Sequence, residues 1–312
     1  MPTIPQATSN PAVELEETGC LLCGSRNATT FVEAADPIAR SGQGRYTVVR
    51  CHACGLCFTN PRPTPESIAA VYPSEYGPHQ DRDARSSHSQ RRGRWSRWMA
   101  AIRGRRQIAW HGGGRLLDFG CGAGSFLRRM HEEGWQVTGL DASSAVVERI
   151  RNQMGLCAFA GSLPHPELLP QSFDVITMWQ ALEHVHRPLD VLRAARQLLA
   201  PCGRLVIAVP NLESRAFRRF GPDWFGLDLP RHLIHFTPST LRRMVEQAGF
   251  RVENIRTMSH ASWLQGSAKR AVESGRAGIL VRLLQFRPFC RLAAWSHLVS
   301  GSADAIVVTA RF

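Results

Sequence analysis

The sequence predicts an α/β fold: a mainly parallel sheet with helices on both faces, joined to a small cysteine-rich module on its N-terminal side. Three observations carry this. From Arg115 onward, short apolar runs alternate with stretches of helical periodicity. Glycines punctuate the turns between them. The first 54 residues hold four cysteines, arranged as two Cys-x2-Cys pairs. A chain of 312 residues is long enough to bury one large core and one satellite.

The elements follow in order. Residues 1–17 are polar and proline-broken and read as a flexible tail. A module over 18–78 is dense in Cys, Gly and Pro, with β-like runs such as RYTVVR at 45–50. Residues 79–110 form a linker and an amphipathic helix; the part from 79 to 106 carries nine Arg against two Asp. The main domain, 111–312, opens with the strand LLDFG at 116–120 and the helix SFLRRMHEEG at 125–134, which stops at a glycine suited to the left-handed cap. QVTGLD at 136–141 is a second strand, and SSAVVERIRNQMG is a helix with Ser at its start. FDVITMW at 173–179 is a buried strand, followed by a helix through Leu199. A Pro201-Cys202-Gly203 turn feeds the strand RLVIAVP. After an aromatic-rich segment at 211–237 come the helix PSTLRRMVEQAG, the strand FRVENIR, a helical insertion at 258–303 and a last strand, ADAIVVTARF.

Composition narrows the class of function. Hydrophobic content of 44% and charged content of 20% are those of an ordinary globular chain and exclude wholesale disorder. The net charge is +13, and Lys269 is the single lysine among 38 basic residues. That charge favours anionic partners: nucleic acid, phospholipid headgroups or nucleotide-linked substrates. The N-terminal residues do not resemble a signal peptide, and no apolar run reaches the length of a membrane span. Nine cysteines in such a chain point to a reduced, cytoplasmic protein, compatible with peripheral contact at the inner face of a membrane.

The sharpest motif is LLDFGCGAGSF at 116–126. A strand ending in Asp-x-Gly-x-Gly-x-Gly builds a tight turn at the carboxyl edge of a sheet. Gly120, Gly122 and Gly124 there let a ligand approach the main chain. The dinucleotide pattern G-x-G-x-x-G would need glycine at 125, where this chain has Ser125. Asp141 ends the second strand, seventeen residues after Gly124, where a carboxylate can accept hydrogen bonds from a ribose diol.

This pairing resembles the class I S-adenosylmethionine-dependent methyltransferases. FDVITMWQALEHV and LLAPCGRLVIAVPN resemble their fourth and fifth strands with the helix between. The resemblance covers 115–257 and implies a Rossmann-like sheet of seven strands, the last one antiparallel beside the fifth. It also implies donor contacts. Asp118, Phe119, Gly120, Cys121, Gly122 and Gly124 would hold the methionyl portion, Asp141 and Ala142 the ribose, and Ser162 and Leu163 the adenine, with Trp179 at the rim. Ser162 stands where many of those enzymes have an acid.

Just past the fourth strand, Glu183 and His184 lie where an acceptor would meet the methyl group. A histidine there is suited to take a proton from an attacking hydroxyl, amine or carbon acid. Sugar C-methyltransferases carry a similar Glu-His pair, whereas a purely structural pair is the alternative. Cys20, Cys23, Cys51 and Cys54 form two knuckles 27 residues apart, the pattern of a closed, structural zinc site. His52 and Cys57 are bystanders. The motif CLLCG…YTVVRCHACGLCFTNPRP resembles the zinc module of bacterial methyltransferases of sugar and cell-surface polysaccharide pathways.

Residues 211–237 are expected either to cover an acceptor, through Trp224, Phe225, Arg231, His232 and His235, or to plug the core. His232 is a further catalytic candidate. The apolar stretch 278–299 is expected to pack into the core, with an interfacial membrane helix or a dimer contact as the alternative.

These residues point to methyl transfer onto a small-molecule or glycan acceptor, such as a nucleotide-sugar of cell-surface polysaccharide. One alternative is an RNA methyltransferase that binds substrate through the zinc module and the Arg-rich linker. The other is a non-catalytic zinc-ribbon interaction protein.

Overall fold

The computed structural model of the chain describes residues 13–38, 44–72 and 113–312. The first twelve residues of the tail expected over 1–17 and the linker helix expected within 79–110 lie outside the described residues, while Leu15 and Glu16 of that tail form a strand paired with Pro63 and Arg62. In chain order, the N-terminal strands are β1 (Leu15–Glu16), β2 (Ala28–Ala35), β3 (Arg45–Cys51), β4 (Cys57–Thr59) and β5 (Arg62–Pro63). There follow β6 (Arg115–Phe119), α1 (Ser125–Glu132), β7 (Gln136–Asp141), α2 (Ser144–Arg149), β8 (Cys157–Ala160), β9 (Phe173–Trp179), α3 (Pro188–Leu198) and β10 (Leu199–Pro210). The chain ends with α4 (Arg215–Phe220), β11 (Ile234–His235), α5 (Pro238–Gln247), β12 (Arg251–Met258), α6 (Ala261–Glu273), α7 (Ile279–Leu283), α8 (Arg287–Val299) and β13 (Ala305–Arg311).

The main sheet has seven strands in the order β12-β13-β10-β9-β6-β7-β8. Its strands β10, β9, β6, β7 and β8 are joined by parallel pairings, and β13 runs antiparallel between β10 and β12. The seven-stranded, mostly parallel expectation therefore holds, including the antiparallel last strand. Leu116, Leu117, Ile176, Leu205, Val206 and Ile207 are wholly buried, as strands covered on both faces require. Gly139 sits opposite Asp118 in the ladder, and a Cβ there would lie 2.8 Å from Cys121 Sγ and 2.7 Å from Leu127 Cδ1. A bare backbone at that point lets α1 and the loop before it close onto the sheet. The Pro201–Gly203 segment is absorbed into β10, whose pairing with β9 shifts register between Leu199 and Arg204.

Helix starts are fixed locally. Ser143 accepts from Val146 N and Ser214 from Phe217 N, while Thr237 and Thr240 form a reciprocal box ahead of Pro238. A second sheet, β11-β4-β3-β2, is antiparallel. Its edge strand β11 comes from the 211–237 segment, so that segment is built into the sheet of the N-terminal module.

The expectation that 278–299 packs into the core holds for one face only, through Val281, Leu284, Ala293 and Ala294. The inward side of α8 carries the small residues Cys290 and Ala294, while Phe289, Leu292, Trp295 and Val299 face out at 48, 64, 52 and 68% exposure. The helical insertion itself begins one residue later than expected, since Met258 ends β12.

Candidate active site

Sheet topology places the site before any side chain is considered. The chain leaves β6 for β7 and β8 on one side and then crosses to β9 on the other, so the strand order reverses between β6 and β9. At such a reversal the outgoing loops diverge at the carboxyl ends of the strands and leave a crevice. One lip is the glycine loop 120–124 after β6; the other is 180–184 after β9. Gly120 adopts φ +71°, and a Cβ there would lie 2.6 Å from Ala181 Cβ. The two lips approach this closely only because residue 120 has no side chain.

Two carboxylates line the first lip. Asp118 is buried, accepts the Thr177 hydroxyl at 2.6 Å, and is pushed up to about 7 by burial. A cationic amino group beside it would restore its charge. Asp141 ends β7; its Oδ2 accepts from Gly122 N at 2.9 Å and its Oδ1 from Ser143 N at 3.0 Å. A carboxylate offers roughly four acceptor positions, so about two stay open for a diol. On the second lip, Trp179 Nε1 and both amide heteroatoms of Gln180 are buried without a hydrogen-bond partner. Gln180 holds φ +53°, with its N–H on Ala208 O at 2.8 Å. Orphaned polar atoms at the rim of a crevice call for a polar ligand. Phe119 and Cys121 are buried, which leaves their backbone to face a ligand. Beyond β8, Ser162 is exposed and Leu163 lies within the core, while Ala142 is exposed next to Asp141.

Beyond the lips, Glu183, His184 and His232 bring their side-chain ligating atoms within 4.8 Å of one another. His184 Nδ1 lies 3.0 Å from the Arg231 carbonyl and 2.9 Å from Tyr72 Oη. A carbonyl can only accept, so Nδ1 carries the proton and Nε2 keeps a bare lone pair. The same reasoning applies to His232, whose Nδ1 donates to Gly226 O at 2.9 Å. Burial and the neighbouring His232 ring lower His184 to about 3; burial lowers His232 to about 4. Both rings are therefore neutral near pH 7. The Glu183 carboxyl is fully buried without a partner, and burial raises it to about 8.

A family profile described as "Methyltransferase domain" matches residues 87–255, more than half of the chain. A ubiquinone biosynthesis O-methyltransferase of Aeromonas salmonicida is 32% identical over 167 residues, which cover 48% of this chain and 68% of that one. A protein with the same description from Pseudomonas aeruginosa is 31% identical over 155 residues, covering 46% and 67%. The chain belongs to the class I S-adenosylmethionine-dependent methyltransferases. Among solved structures, a chain of the complex between the Haloferax volcanii Trm112 methyltransferase activator and a putative methyltransferase shares the fold. It is 17% identical with a TM-score of 0.50, covering 74% of this chain and 98% of that one. A methyltransferase from Mesorhizobium loti is 21% identical with a TM-score of 0.47, covering 70% and 97%.

In this methyltransferase most of the 211–237 segment is built into the interior. Trp224, Arg231 and His235 are 1, 0 and 3% exposed and plug the interior, while the His232 ring meets His184 at 4.7 Å between centroids. Arg231 binds both Asp36 oxygens, Asp228 and two backbone carbonyls, so its guanidinium is spent on the protein itself. Burial alone would raise Asp228, but the Arg231 guanidinium outweighs it and holds that carboxylate at about 2. Phe225 is 37% exposed and packs on Trp263.

The N-terminal module of the methyltransferase reaches this cluster through residues that sequence reasoning passed over. Thr59 on β4 donates to His232 O at 2.7 Å, so its hydroxyl accepts from His235 Nε2 at 3.1 Å. Tyr72 touches His184, and Arg62 donates to His186 O at 3.2 Å. Tyr72 and Thr59 carry no local motif; Gln180, by contrast, sits inside the MWQALEHV run. In the same module, Cys20, Cys23, Cys51 and Cys54 place their sulfurs within 4.8 Å of one another, with Cys20–Cys54 at 3.3 Å and Cys23–Cys51 at 3.6 Å. Four thiolates around a tetrahedral zinc at roughly 2.3 Å stand about 3.8 Å apart, so the set fits that ion. Both knuckles close alike, with Gly24 N on Cys20 O at 2.8 Å and Gly55 N on Cys51 O at 2.9 Å.

Proposed function

We propose that this methyltransferase moves a methyl group onto a hydroxyl of a polar small molecule, and specifically of a sugar unit such as a nucleotide-sugar for cell-surface polysaccharide. The observation that supports this most is His184, neutral and tautomerically fixed, with a bare Nε2 at the crevice. The walls around it offer hydrogen-bonding groups (Tyr72, Gln180, Glu183, His232), which suits a polyhydroxylated acceptor.

Asp118, the backbone of 119–124, Asp141 with Ala142, Trp179, and Ser162 with Leu163 would hold the donor along the crevice. Bound there, S-adenosylmethionine supplies an electrophilic methyl group. His184 Nε2 takes the acceptor's proton as the oxygen–carbon bond forms and the sulfur–carbon bond breaks. Glu183, kept protonated by burial, places its carbonyl oxygen beside the imidazolium that forms; His232 fixes the acceptor's orientation. Enclosure by the module excludes water and aligns the two reactants. In this reading the four cysteines bind one structural zinc, and Thr59 and Tyr72 of the module act as a wall of the acceptor crevice.

A second reading has an aromatic hydroxyl as acceptor. It draws on the relatives described as ubiquinone biosynthesis O-methyltransferases, at about one-third identity. Labelled donor offered with nucleotide-sugars and with catechol-type phenols separates the two. Label in the sugars is expected; label confined to the phenols replaces the first reading with the second. H184A should lower kcat by about 10²–10⁴-fold and leave S-adenosylhomocysteine binding intact. A variant with unchanged kcat would remove the base from this scheme.

A further inference from the structure

Among the described residues, eight of the thirteen large apolar side chains exposed to solvent fall between Ile279 and Val299. Ile279, Leu280, Phe286, Leu292, Trp295 and Val299 are each more than half exposed. Such a concentration on two short helices is an interaction surface, not the usual scatter of single apolar residues. Folding does not account for it, because α8 turns its small side chains inward and its large ones outward.

Charge decides the partner. Arg282, Arg287 and Arg291 are exposed within the same hairpin, and no Asp or Glu occurs from 274 to 303. The exposed Arg215, Arg218 and Arg219 of α4 lie close enough to His297 on α8 to depress its protonation, after burial itself. A twofold contact with a second copy would set this patch against itself, arginine against arginine with no acid to intervene. An anionic lipid surface accepts both components at once: aromatic and aliphatic side chains enter the headgroup boundary while the arginines stay at the phosphates. No helix among the described residues is long and apolar enough to cross a membrane, so the contact is one of lying on the surface.

We propose that α7 and α8 form a peripheral docking surface for an anionic phospholipid bilayer. This stands apart from the identity of the acceptor, since none of these residues lines the crevice.

Full-length protein is sedimented with vesicles of phosphatidylcholine alone and of phosphatidylcholine mixed with phosphatidylglycerol. Binding to the mixed vesicles only is expected, weakening as salt rises. R287Q and R291Q should each lower the partition coefficient about fivefold, and L292S/W295S should abolish binding, with S-adenosylhomocysteine titration confirming that each variant is folded. Failure of the wild-type protein to bind phosphatidylglycerol vesicles overturns the proposal, as does undiminished binding by L292S/W295S. A dimer in sedimentation equilibrium that L292S/W295S converts to monomer, without vesicle binding, assigns the surface to a second copy instead.

Discussion

At the scale of single residues, burial keeps several titratable side chains of this protein neutral, His184, His232 and His235 among them. His235 is 3% exposed, and burial lowers it to about 3. Its unfolded value is near 6.5. As pH falls below that, the unfolded chain takes up a proton that the folded chain refuses, so stability contributed by the neutral ring is lost on acidification. Between pH 6.5 and 5 the wild type should lose about 2 kcal/mol relative to H235Q, measured as the difference in denaturant midpoints at the two pH values. Equal shifts in both proteins would mean that this ring titrates normally. The residues expected to carry chemistry were the legible ones, because glycine loops and paired cysteines obey short-range geometry. Asp118, Gly120 and Asp141 stand out from spacing alone, and so do the four cysteines. Asp36, Thr59 and Tyr72 were not legible, since each acts across more than a hundred residues on partners no local pattern announces.

At the scale of elements, the central fact is that β11 belongs to two structures. It follows the fifth parallel strand in sequence yet pairs with β4 of the module. A two-residue strand gives no periodic signal, which is why 211–237 reads as irregular. The exposure of α8 was hidden for the opposite reason: apolar residues at helical spacing look the same whether they face a core or a membrane. What holds β11 in place is Arg231, wholly buried between Asp36 of the module and Asp228 of its own segment. Removing one partner of such a set leaves uncompensated buried charge, costing roughly 3–5 kcal/mol. R231M should therefore lower the thermal midpoint by many degrees, whereas R242M, at an exposed helical pair with Glu246, should leave it nearly unchanged. Comparable midpoints for the two variants would show that Asp36 and Asp228 are solvated without the arginine.

At the scale of the whole molecule, the proposed donor and acceptor sides of the crevice depend on different parts of the chain. The donor side is made by β6, β7 and β9 and their loops, all within one sheet. The acceptor side depends on the module as well: Thr59 anchors the 232–235 backbone, Tyr72 meets His184, and Arg243 of α5 donates to Cys54 O at 3.1 Å, tying a cysteine knuckle to the main domain. Burial pushes the Cys20 and Cys54 thiols up, so these two need a bound cation to ionise beside their neighbours. With the four cysteines holding zinc as proposed, withdrawing it with a chelator should act on one side only. The module loosens, β11 loses its partner strand, and His184 and His232 lose their alignment, so kcat falls by orders of magnitude. Titration with S-adenosylhomocysteine, which reads only the donor side, should change little. Metal content measured across the same series should follow kcat, with one zinc per chain at full activity. Parallel loss of both functions would show that the sheet cannot hold the donor loop without the module, and that the two sides of the crevice fold as one unit.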